Sequence, residues 1–494
     1  MASSRACKVW ACPAPEDLRK GFEGLAHLVR WQLGKELLDG DCFLFCSRTR
    51  TSAKVLLYDG TGLAIYCKRL ERGRFACLWK GPLGHGPTQQ PALPVVDLPH
   101  ELDEADKVCN ACGGEFKPMG DQFETAEEID VVARSFRIVR HKRQKYSRKC
   151  GACVDTALGP PKLILGGRYS TQFAIAVAVD KYQFHMPLSR QTTEMADQGL
   201  TVSVSTLWDQ IAALATHLQS CYLALHKHIL TARVVGTDET RWPLLDNENK
   251  NWWAWSVCCT TGVRYCIAKS RAHTEALELL RDFNGKVVCD AYTGYDALIN
   301  VRQRNGKPLT LAHCWDHVQR KYFEAKDNNP PANEALRLIG KLYEIEARAA
   351  VAHPPGSDQW RDHQLLLRQT ESAAVLEEIW AWQRTVSPLP TSGLGRAVKY
   401  MDKIRAELSL FVTDADIPLD NNASERGMRA LAVGRKNHYG SKSLRGTEVA
   451  ALFYSLIETC KLVGVEPEKY LKAAALANIE NAGTVILPHE MVGR

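Results

Sequence analysis

The stretch Thr237-Asp238-Glu239-Thr240-Arg241-Trp242-Pro243 decides the fold of this chain, because it sets a carboxylate directly after a short apolar run. The segment Val287-Val288-Cys289-Asp290 repeats the arrangement, and both runs indicate buried strands. A third stretch, Asp420-Asn421-Asn422-Ala423-Ser424-Glu425-Arg426, opens a helical pattern. Side chains at strand ends and helix starts of one domain tend to gather where sites form. We therefore expect Asp238, Asp290 and Glu425 to converge in one pocket.

Each of these acids also has a purely structural interpretation. Asp238 could cap a turn, Asp290 could cap a helix at Tyr292–Ile299, and Asn422-Ala423-Ser424-Glu425 resembles a capping box. Their joint occurrence in one domain favours a shared pocket. Three carboxylates can hold two divalent metal ions about 4 Å apart, which activate a water or a DNA 3′-hydroxyl and stabilise the leaving oxygen of a phosphodiester. The predicted ions are Mg²⁺ or Mn²⁺, two per active site, because hard oxygen ligands suit hard cations.

The residues around the acids predict a mixed sheet with helices on its faces. Strand patterns occur at Arg233–Thr237, Trp252–Cys259, Arg264–Ser270, Val287–Cys289 and Leu309–His313, and helical patterns at Thr274–Phe283 and Trp315–Lys326. Residues 327 to about 412 are helical without a strand pattern, so they interrupt the sheet domain before Glu425.

Length and composition describe a globular chain of several domains. The 494 residues exceed one ordinary core, so two to four domains are expected. The net charge of +7 permits a nucleic-acid partner without requiring one. We find no signal peptide and no apolar run of about 18 residues, and the cysteines sit mostly inside apolar segments. The expected location is therefore a reducing cytosol.

Two cysteine pairs predict a zinc site. Cys109-x2-Cys112 and Cys150-x2-Cys153 fit one structural Zn²⁺ with four thiolate ligands, although incidental core cysteines remain an alternative. The segment between Arg134 and Lys149 carries eight Lys or Arg and no acid. This run could be a solvated face, but its place before the second pair favours phosphate binding. The predicted DNA-binding residues are Arg137, Arg140, Lys142, Arg143 and Lys145, with Arg426, Arg429, Arg435 and Lys436 after Glu425.

Two further segments have recognisable patterns. Leu188–Asp197, Gly199 and a second helix capped by Ser203 or Ser205 have helix-turn-helix spacing, which any helical hairpin also gives. Residues 1 to about 80 combine a helix at Asp17–Leu33 with strands at Cys42–Cys46, Ala53–Tyr58 and Leu63–Arg69. Residues 81 to 94 hold four Pro and three Gly, which is typical of a linker.

Residues from about 96 to 494 resemble the transposases of the insertion sequence 66 family (TnpC-type). The matching segments are CNACGG, DETRWPLL, CDAYTGYDAL, HCWDHVQRKYFEA and PLDNNASERGMRALAVGRKNHYGSKSLRGTEVAALFYSLIETCKLVGVEPEKYL. The resemblance implies a ribonuclease H-like catalytic domain with an Asp-Asp-Glu triad at Asp238, Asp290 and Glu425, and a helical insertion before the glutamate. The first 80 residues resemble the small accessory protein of the same elements (TnpB-type) through DLRKGFEGLAHLV and LLYDGTGLAIYCKRLERGRF.

The expected protein is thus a multi-domain α/β transposase. The resemblance implies that it binds the terminal repeats of its element and target DNA in a bacterial cytoplasm, in association with the nucleoid. It should assemble as a homo-oligomer on DNA, with other proteins of the element as further candidate partners, and have no membrane partner. Two alternatives are a catalytically silent zinc-ribbon DNA-binding protein and a hydrolytic nuclease on the same fold. The predicted segments are an accessory-like α+β domain (1–80), a linker (81–104), a four-cysteine zinc domain (105–160), a helix-turn-helix-like segment (161–230), the first part of the catalytic domain (231–326), a helical insertion (327–415) and the last part with C-terminal helices (416–494).

Overall fold

A computed structural model describes residues 8–75, 95–97, 134–147, 154–245, 251–306, 309–354 and 356–493. The chain falls into two units, Met1–Glu128 and Ile129–Arg494. The four predicted zinc ligands lie outside the described residues, and so does the predicted linker apart from residues 95–97.

The first unit is a small sheet with one helix. Its elements are β1 Val9–Ala11, α1 Phe22–Gln32, β2 Cys42–Cys46, β3 Ser52–Tyr58 and β4 Leu63–Arg69, with sheet order β1-β2-β3-β4. Strand β1 runs parallel to β2, and the other pairs are antiparallel. Leu25 and Val29 of α1 pack with Phe43, Phe45 and Leu56 of the sheet in a core of their own.

The start of the helix and the first strand of this unit differ from the sequence prediction. The helix begins at Phe22 rather than near Asp17, because the Asp17 carboxylate accepts hydrogen bonds from the backbone and guanidinium of Arg19 in a local turn. Strand β1 was not predicted. It has three residues, and its pairing with β2 joins positions more than thirty residues apart, which no local pattern reports.

The second unit is built on a five-stranded mixed sheet. Its strands are β7 Val234–Pro243, β8 Asn251–Cys259, β9 Gly262–Ala268, β10 Lys286–Cys289 and β11 Thr310–His313, in the order β11-β10-β7-β8-β9. Strand β8 is antiparallel to both of its neighbours, β7 and β9, whereas β10 pairs in parallel with β7 and with β11. A separate short hairpin, β5 Lys145–Ser147 with β6 Val154–Thr156, flanks residues 148–153.

Strand β7 is longer than its apolar pattern indicates. It continues to Pro243 because β8 pairs with it as far as Asn251, so Asp238 lies inside the strand rather than after it. The parallel partner β10, however, pairs only with Val234–Gly236. Asp238 therefore follows the parallel part of the sheet, where side chains of neighbouring strands can meet beyond the last ladder bonds.

Helices cover both faces of the sheet. Three helices precede the sheet: α2 Thr171–Tyr182, α3 Leu188–Asp197 and α4 Val204–Ile229. Three more connect or follow its later strands: α5 His273–Leu279, α6 Thr293–Arg304 and α7 Trp315–Ala325. The last three come at the C-terminal end of the unit: α13 Asn422–His438, α14 Leu444–Leu462 and α15 Pro467–Glu480. Leu214 and Leu225 of α4 share one core with Val257 of β8 and Phe453 of α14. The predicted segment 161–230 is thus continuous with the core of the sheet, since α4 is long enough to lie along it.

The predicted insertion is helical throughout. It contains α8 Ala332–Ala352, α9 Asp358–Leu367, a π turn at Arg368–Ser372, α10 Ala373–Thr385, α11 Gly393–Lys403 and α12 Arg405–Leu408. Its core reaches the sheet through Val288 and Ala312, whereas Val287 and Cys289 face the other core. Strand β10 is therefore buried on both faces, as parallel strands usually are. No helix in the described ranges combines the length and apolar character needed to cross a bilayer.

Candidate active site

The first turn of α13 is fastened to β7 next to Asp238. The Asn421 side chain donates to the Thr237 carbonyl at 2.9 Å, and the Ser424 hydroxyl donates to the Asn421 side-chain oxygen at 2.6 Å. A Cβ at Gly236 would lie 2.2 Å from the Ser424 hydroxyl oxygen. Only glycine permits this approach of helix and strand. The contact carries Glu425, the residue after Ser424, to the strand that bears Asp238.

Asp290 reaches the same place through the sheet. Strand β10 ends at Cys289, and its Val288 is in register with Gly236. Continuing this register by two residues sets Asp290 beside Asp238, and neighbouring strands lie about 4.8 Å apart. The Asp290 carboxylate accepts a hydrogen bond from the Tyr292 backbone N–H at 3.1 Å, so it also supports the start of α6.

The electrostatics show that the three acids are close. Burial raises the pKa of Asp238 to about 7, and the carboxylates of Glu239, Asp290 and Glu425 add to the rise. One backbone hydrogen bond, from Glu239 N–H at 2.8 Å, opposes it. In the described part of the chain, no Lys or Arg forms an ion pair with Asp238 or Asp290. Among the described residues, Asp238 and Asp290 are thus the acids of the pocket that lack an ion-pair partner.

Glu425 faces α7 rather than its own helix end. The capping-box alternative is wrong, because the N-cap is Asn421 and no side chain caps α13. One Glu425 oxygen lies 3.3 Å from an Arg320 nitrogen, and the other lies 3.6 Å from His317 Nδ1. That second oxygen and His317 Nδ1 are both buried, and neither has a hydrogen-bond partner among the described residues.

Glu239 is a buried acid at the site that the sequence analysis did not single out. Its carboxylate pairs with Arg271, whose Nε lies 2.9 Å away, and accepts a hydrogen bond from the Tyr295 hydroxyl at 3.1 Å. Arg271 stacks on Tyr292, 3.9 Å from the ring centroid. Burial raises the pKa of Glu239 and Asp290 adds to the rise, whereas Arg271 opposes it. Glu239 therefore has a fixed cation and its neighbour Asp238 has none.

The donor set fits divalent metal ions. Carboxylate oxygens are the ligands that Mg²⁺ and Mn²⁺ prefer, and the unpartnered Glu425 oxygen supplies a free ligand atom. Burial first, and then repulsion by the neighbouring carboxylates, raises the pKa of Asp238, and a nearby cation would favour its ionised form. Asp238, Asp290 and Glu425 are the residues that would hold such ions.

The predicted phosphate-binding residues differ in their surroundings. Arg426, Arg429 and Lys436 are exposed on α13, and their spacing sets them on one side of the helix. Arg435 is half-buried instead: it donates to the Thr240 hydroxyl at 2.9 Å and to the Arg241 carbonyl, and so secures the far end of β7. Its guanidinium is already engaged with the protein.

The basic run before the second cysteine pair is exposed where it is described. Arg137, Arg140, Lys142 and Lys145 are open to solvent. Arg143, also exposed, donates from Nε to the Ala157 carbonyl at 2.5 Å and so braces the β5–β6 hairpin. In the helix-turn-helix-like segment, Gly199 ends α3 with φ +83°, and the Ser203 hydroxyl caps α4 by accepting from Thr206 N–H.

Comparison with known sequences identifies the class of protein. The sequence model described as Transposase IS66 family matches residues 166–449. The model for IS66 Orf2 like protein matches residues 7–84, and that for the zinc-finger binding domain of transposase IS66 matches residues 106–153. The chain belongs to the IS66 transposase family, and both resemblances drawn from the sequence are confirmed. All four predicted zinc ligands fall inside the zinc-finger match, which supports a structural zinc.

Several relatives occur in Sinorhizobium fredii. "Uncharacterized protein y4jD" is 30% identical over 422 residues, covering 82% of this chain and 80% of that protein. "Uncharacterized protein y4hP" is 25% identical over 421 residues, covering 80% of this chain and 74% of that protein. "Uncharacterized protein y4hO" is 36% identical over 92 residues, which are 19% of this chain and 78% of that protein.

Proposed function

We propose that this chain is a DNA transposase that cuts and joins the ends of its insertion sequence at the carboxylates Asp238, Asp290 and Glu425. The observation that carries the proposal is that β7, the end of β10 and the start of α13 bring Asp238, Asp290 and Glu425 together, where burial and then the neighbouring carboxylates raise the pKa of Asp238. Two divalent ions bound there would supply Lewis-acid activation of the attacking oxygen and stabilisation of the leaving oxygen.

The chain's own residues have separable tasks in this proposal. Asn421 and Ser424 hold Glu425 against β7, and Arg271 neutralises Glu239, so that the charge in the pocket comes from the three proposed ligands. Arg426, Arg429 and Lys436 line the exposed side of the same helix and would contact phosphates next to the cut. We leave Arg435 out of this surface because its donors bind β7.

The fold supports the proposal at a coarser level. Three antiparallel strands followed by two strands parallel to the first form the mixed sheet, and a helical insertion separates β11 from α13. We interpret this as a ribonuclease H-like domain whose third acid arrives after the insertion. We further propose that Cys109, Cys112, Cys150 and Cys153 hold one structural Zn²⁺, that the exposed basic run and the α3–α4 segment contact DNA, and that the protein acts as an oligomer assembled on the element ends.

The test is cleavage and joining with the DNA that flanks the gene. Purified full-length protein with Mg²⁺ or Mn²⁺ should nick supercoiled plasmid at the element ends and join the liberated 3′ ends to a second DNA. Omitting the metal is the internal control and should abolish both steps. Cutting without joining would favour a hydrolytic nuclease. Binding of the ends without any cutting, in either metal, would favour the catalytically silent DNA-binding protein.

A further inference from the structure

Beside the carboxylate pocket lies a second set of metal-ligand atoms. Cys314 follows β11 and is the N-cap of α7, and His317 comes three residues later, so both side chains lie on the same face of the first turn. The Cys314 sulfur, a ring nitrogen of His317 and a carboxylate oxygen of Glu425 all lie within 4.8 Å of one another. The set therefore shares Glu425 with the proposed active site.

Two of these ligand atoms are buried without a partner. His317 Nδ1 and the facing Glu425 oxygen are 3.6 Å apart, which is too long for a hydrogen bond, and neither atom has another partner in the part of the chain that the structure describes. Buried polar atoms are rarely left in this state, because each one forfeits its hydrogen bonds to water. Two such atoms facing each other within reach of a thiol have the arrangement that a bridging metal ion needs.

The donor types select the class of ion. A sulfur, an imidazole nitrogen and a carboxylate oxygen suit Zn²⁺ or a similar thiophilic ion, whereas Mg²⁺ takes oxygen ligands. Ligand atoms of a tetrahedral zinc site lie roughly 3.5 Å apart, given zinc–ligand bonds of about 2.0–2.3 Å. Side-chain rotations that move the ligand atoms by about 1 Å would bring them from their present spacing to that of a zinc site. A fourth coordination position would stay open.

We propose that Cys314, His317 and Glu425 form a zinc-class site that competes with the catalytic metal ions for Glu425. An ion bound there draws the shared carboxylate toward α7 and away from Asp238 and Asp290, so zinc inhibits cleavage. Burial raises the pKa of the Cys314 thiol to about 12, so the entering ion displaces that proton to solvent. The competition rests on the proposed function, whereas the binding of the ion does not.

The binding experiment uses the full chain and zinc itself as the probe. Wild type, Cys314→Ser, His317→Gln and the control Cys259→Ser are dialysed to equilibrium against zinc at one buffered free concentration, and bound zinc is measured. Serine can still accept the hydrogen bond that the Asn421 N–H gives Cys314 Sγ at 3.1 Å, so α13 keeps its anchor. Cys259 is a half-buried thiol at the end of β8, outside the site.

The expected result is a difference of one ion per chain. Wild type and Cys259→Ser should bind one zinc more than Cys314→Ser or His317→Gln, because all four proteins share the zinc-finger site. Equal zinc in all four would overturn the proposal. Since two independent variants test the same site, misfolding of one, seen by circular dichroism, leaves the other to decide.

The functional experiment adds zinc to the nicking reaction at fixed, excess Mg²⁺. Each protein is compared with its own zinc-free rate. Wild type and Cys259→Ser should slow at least about tenfold, in line with the loss of a metal-ligand interaction, while Cys314→Ser and His317→Gln should change little. Zinc bound at the site without slower nicking would refute the competition. If wild type never nicks DNA, the proposed function fails, and the dialysis result still decides the zinc site.

Discussion

The carboxylate pocket and the surroundings of Arg368 both bury charged side chains. The charge of Arg368 is neutralised by the described residues around it, whereas that of Asp238 is not. The Arg368 side chain is 1% exposed and pairs with both Glu346 oxygens, at 2.6 and 2.7 Å. It also donates to the carbonyls of Phe411, Asp414 and Ile417, on the segment that returns from the insertion toward Glu425. Asp238, in contrast, accepts one backbone hydrogen bond and faces three other carboxylates.

The difference separates a structural charge from a functional one. Burying an ion is costly unless its charge and hydrogen-bonding capacity are matched, and Arg368 has that match within the protein. In the pocket, Asp238 has no paired cation among the described residues. Such a buried acid does not stabilise the fold unless a ligand supplies the opposite charge. Buried acids without a paired cation therefore indicate a binding site. A buried arginine whose charge and hydrogen bonds are all satisfied indicates a structural element that holds such a site in place.

The largest expected effect is the loss of cleavage when an unmatched acid is neutralised. Asp238→Asn, Asp290→Asn and Glu425→Gln should each slow metal-dependent nicking by roughly 10³-fold or more, because metal binding supplies several kcal/mol of transition-state stabilisation. End binding, measured separately by gel shift, should persist. Asp296→Asn, an acid on α6 that pairs with Lys403 at 3.2 Å, is the matched control and should keep normal activity. Normal strand transfer by any triad variant would refute its assignment.

The second effect concerns the matched charge. Arg368→Met should lower the free energy of unfolding by about 3–5 kcal/mol, because it leaves the Glu346 carboxylate and several carbonyls without their donor. Denaturant unfolding of the full chain measures the change. The exposed pair of Arg337 with Glu334 on α8 is the control, and Arg337→Met should have a far smaller effect. Equal losses in the two variants would mean that burial of Arg368 carries no special stabilising role.

The third effect is a gain in the free energy of unfolding, whereas the second is a loss. Asp238→Asn should raise the stability of protein dialysed free of Mg²⁺ and Mn²⁺ by a few kcal/mol at pH 8, since each pKa unit corresponds to about 1.4 kcal/mol. The Asp238 pKa rises from 3.8 to about 7 on folding, so its ionisation destabilises the fold. This penalty is absent below pH 4 and complete above about pH 7, so the gain should grow across that interval.

Asp209, an exposed acid on α4, provides the comparison for this experiment. Its replacement by Asn should change stability little at any pH. A gain at Asp238 that is the same at pH 5 and pH 8 would show that repulsion in the pocket is not its source. Addition of Mg²⁺ should favour wild type over Asp238→Asn, since a bound ion stabilises only the protein that can hold it.

The smallest effect belongs to charges that are neither buried nor matched. Replacing Arg137 and Lys142 by Ala should flatten the slope of log K against log salt by about 2, with about 0.9 lost per phosphate contact on duplex DNA. Binding should weaken for all sequences alike. The double variant Arg337→Ala/Arg348→Ala on α8 should leave the slope unchanged. An unaltered slope in the Arg137/Lys142 variant would mean that the basic run is a solvated face that does not contact phosphates.

Local patterns predicted most of the second unit's sheet. The predicted strand Trp252–Cys259 and the observed β8 differ by one residue, and the start of α7 at Trp315 was predicted to the residue, because apolar runs and helix starts are encoded by neighbouring side chains. The extension of β7 to Pro243 was not foreseen, since it depends on pairing with a strand that begins eight residues later.

The sequence predicted the three acids of the site but not the residues that pair with them. Asp238, Asp290 and Glu425 stand in stretches that single them out, and the structure brings them together, although their catalytic roles stay predictions. Glu239, Arg271 and Arg320 were not singled out, because nothing local distinguishes a buried ion pair from a surface one. His317 had a usable signal: the Cys314-x2-His317 spacing lies within a segment that the family resemblance had marked.

By itself, the sequence determined the family, the carboxylates and their order along the chain, the cysteine pairs and most element boundaries, since these depend on residue types at short separation. Only the tertiary structure decided which charges are compensated. The approach of α13 to Gly236, the pairing of Glu239 with Arg271 and the facing atoms of His317 and Glu425 all join residues far apart in the chain. Burial and electrostatic repulsion are properties of the packed assembly, and no segment carries them alone.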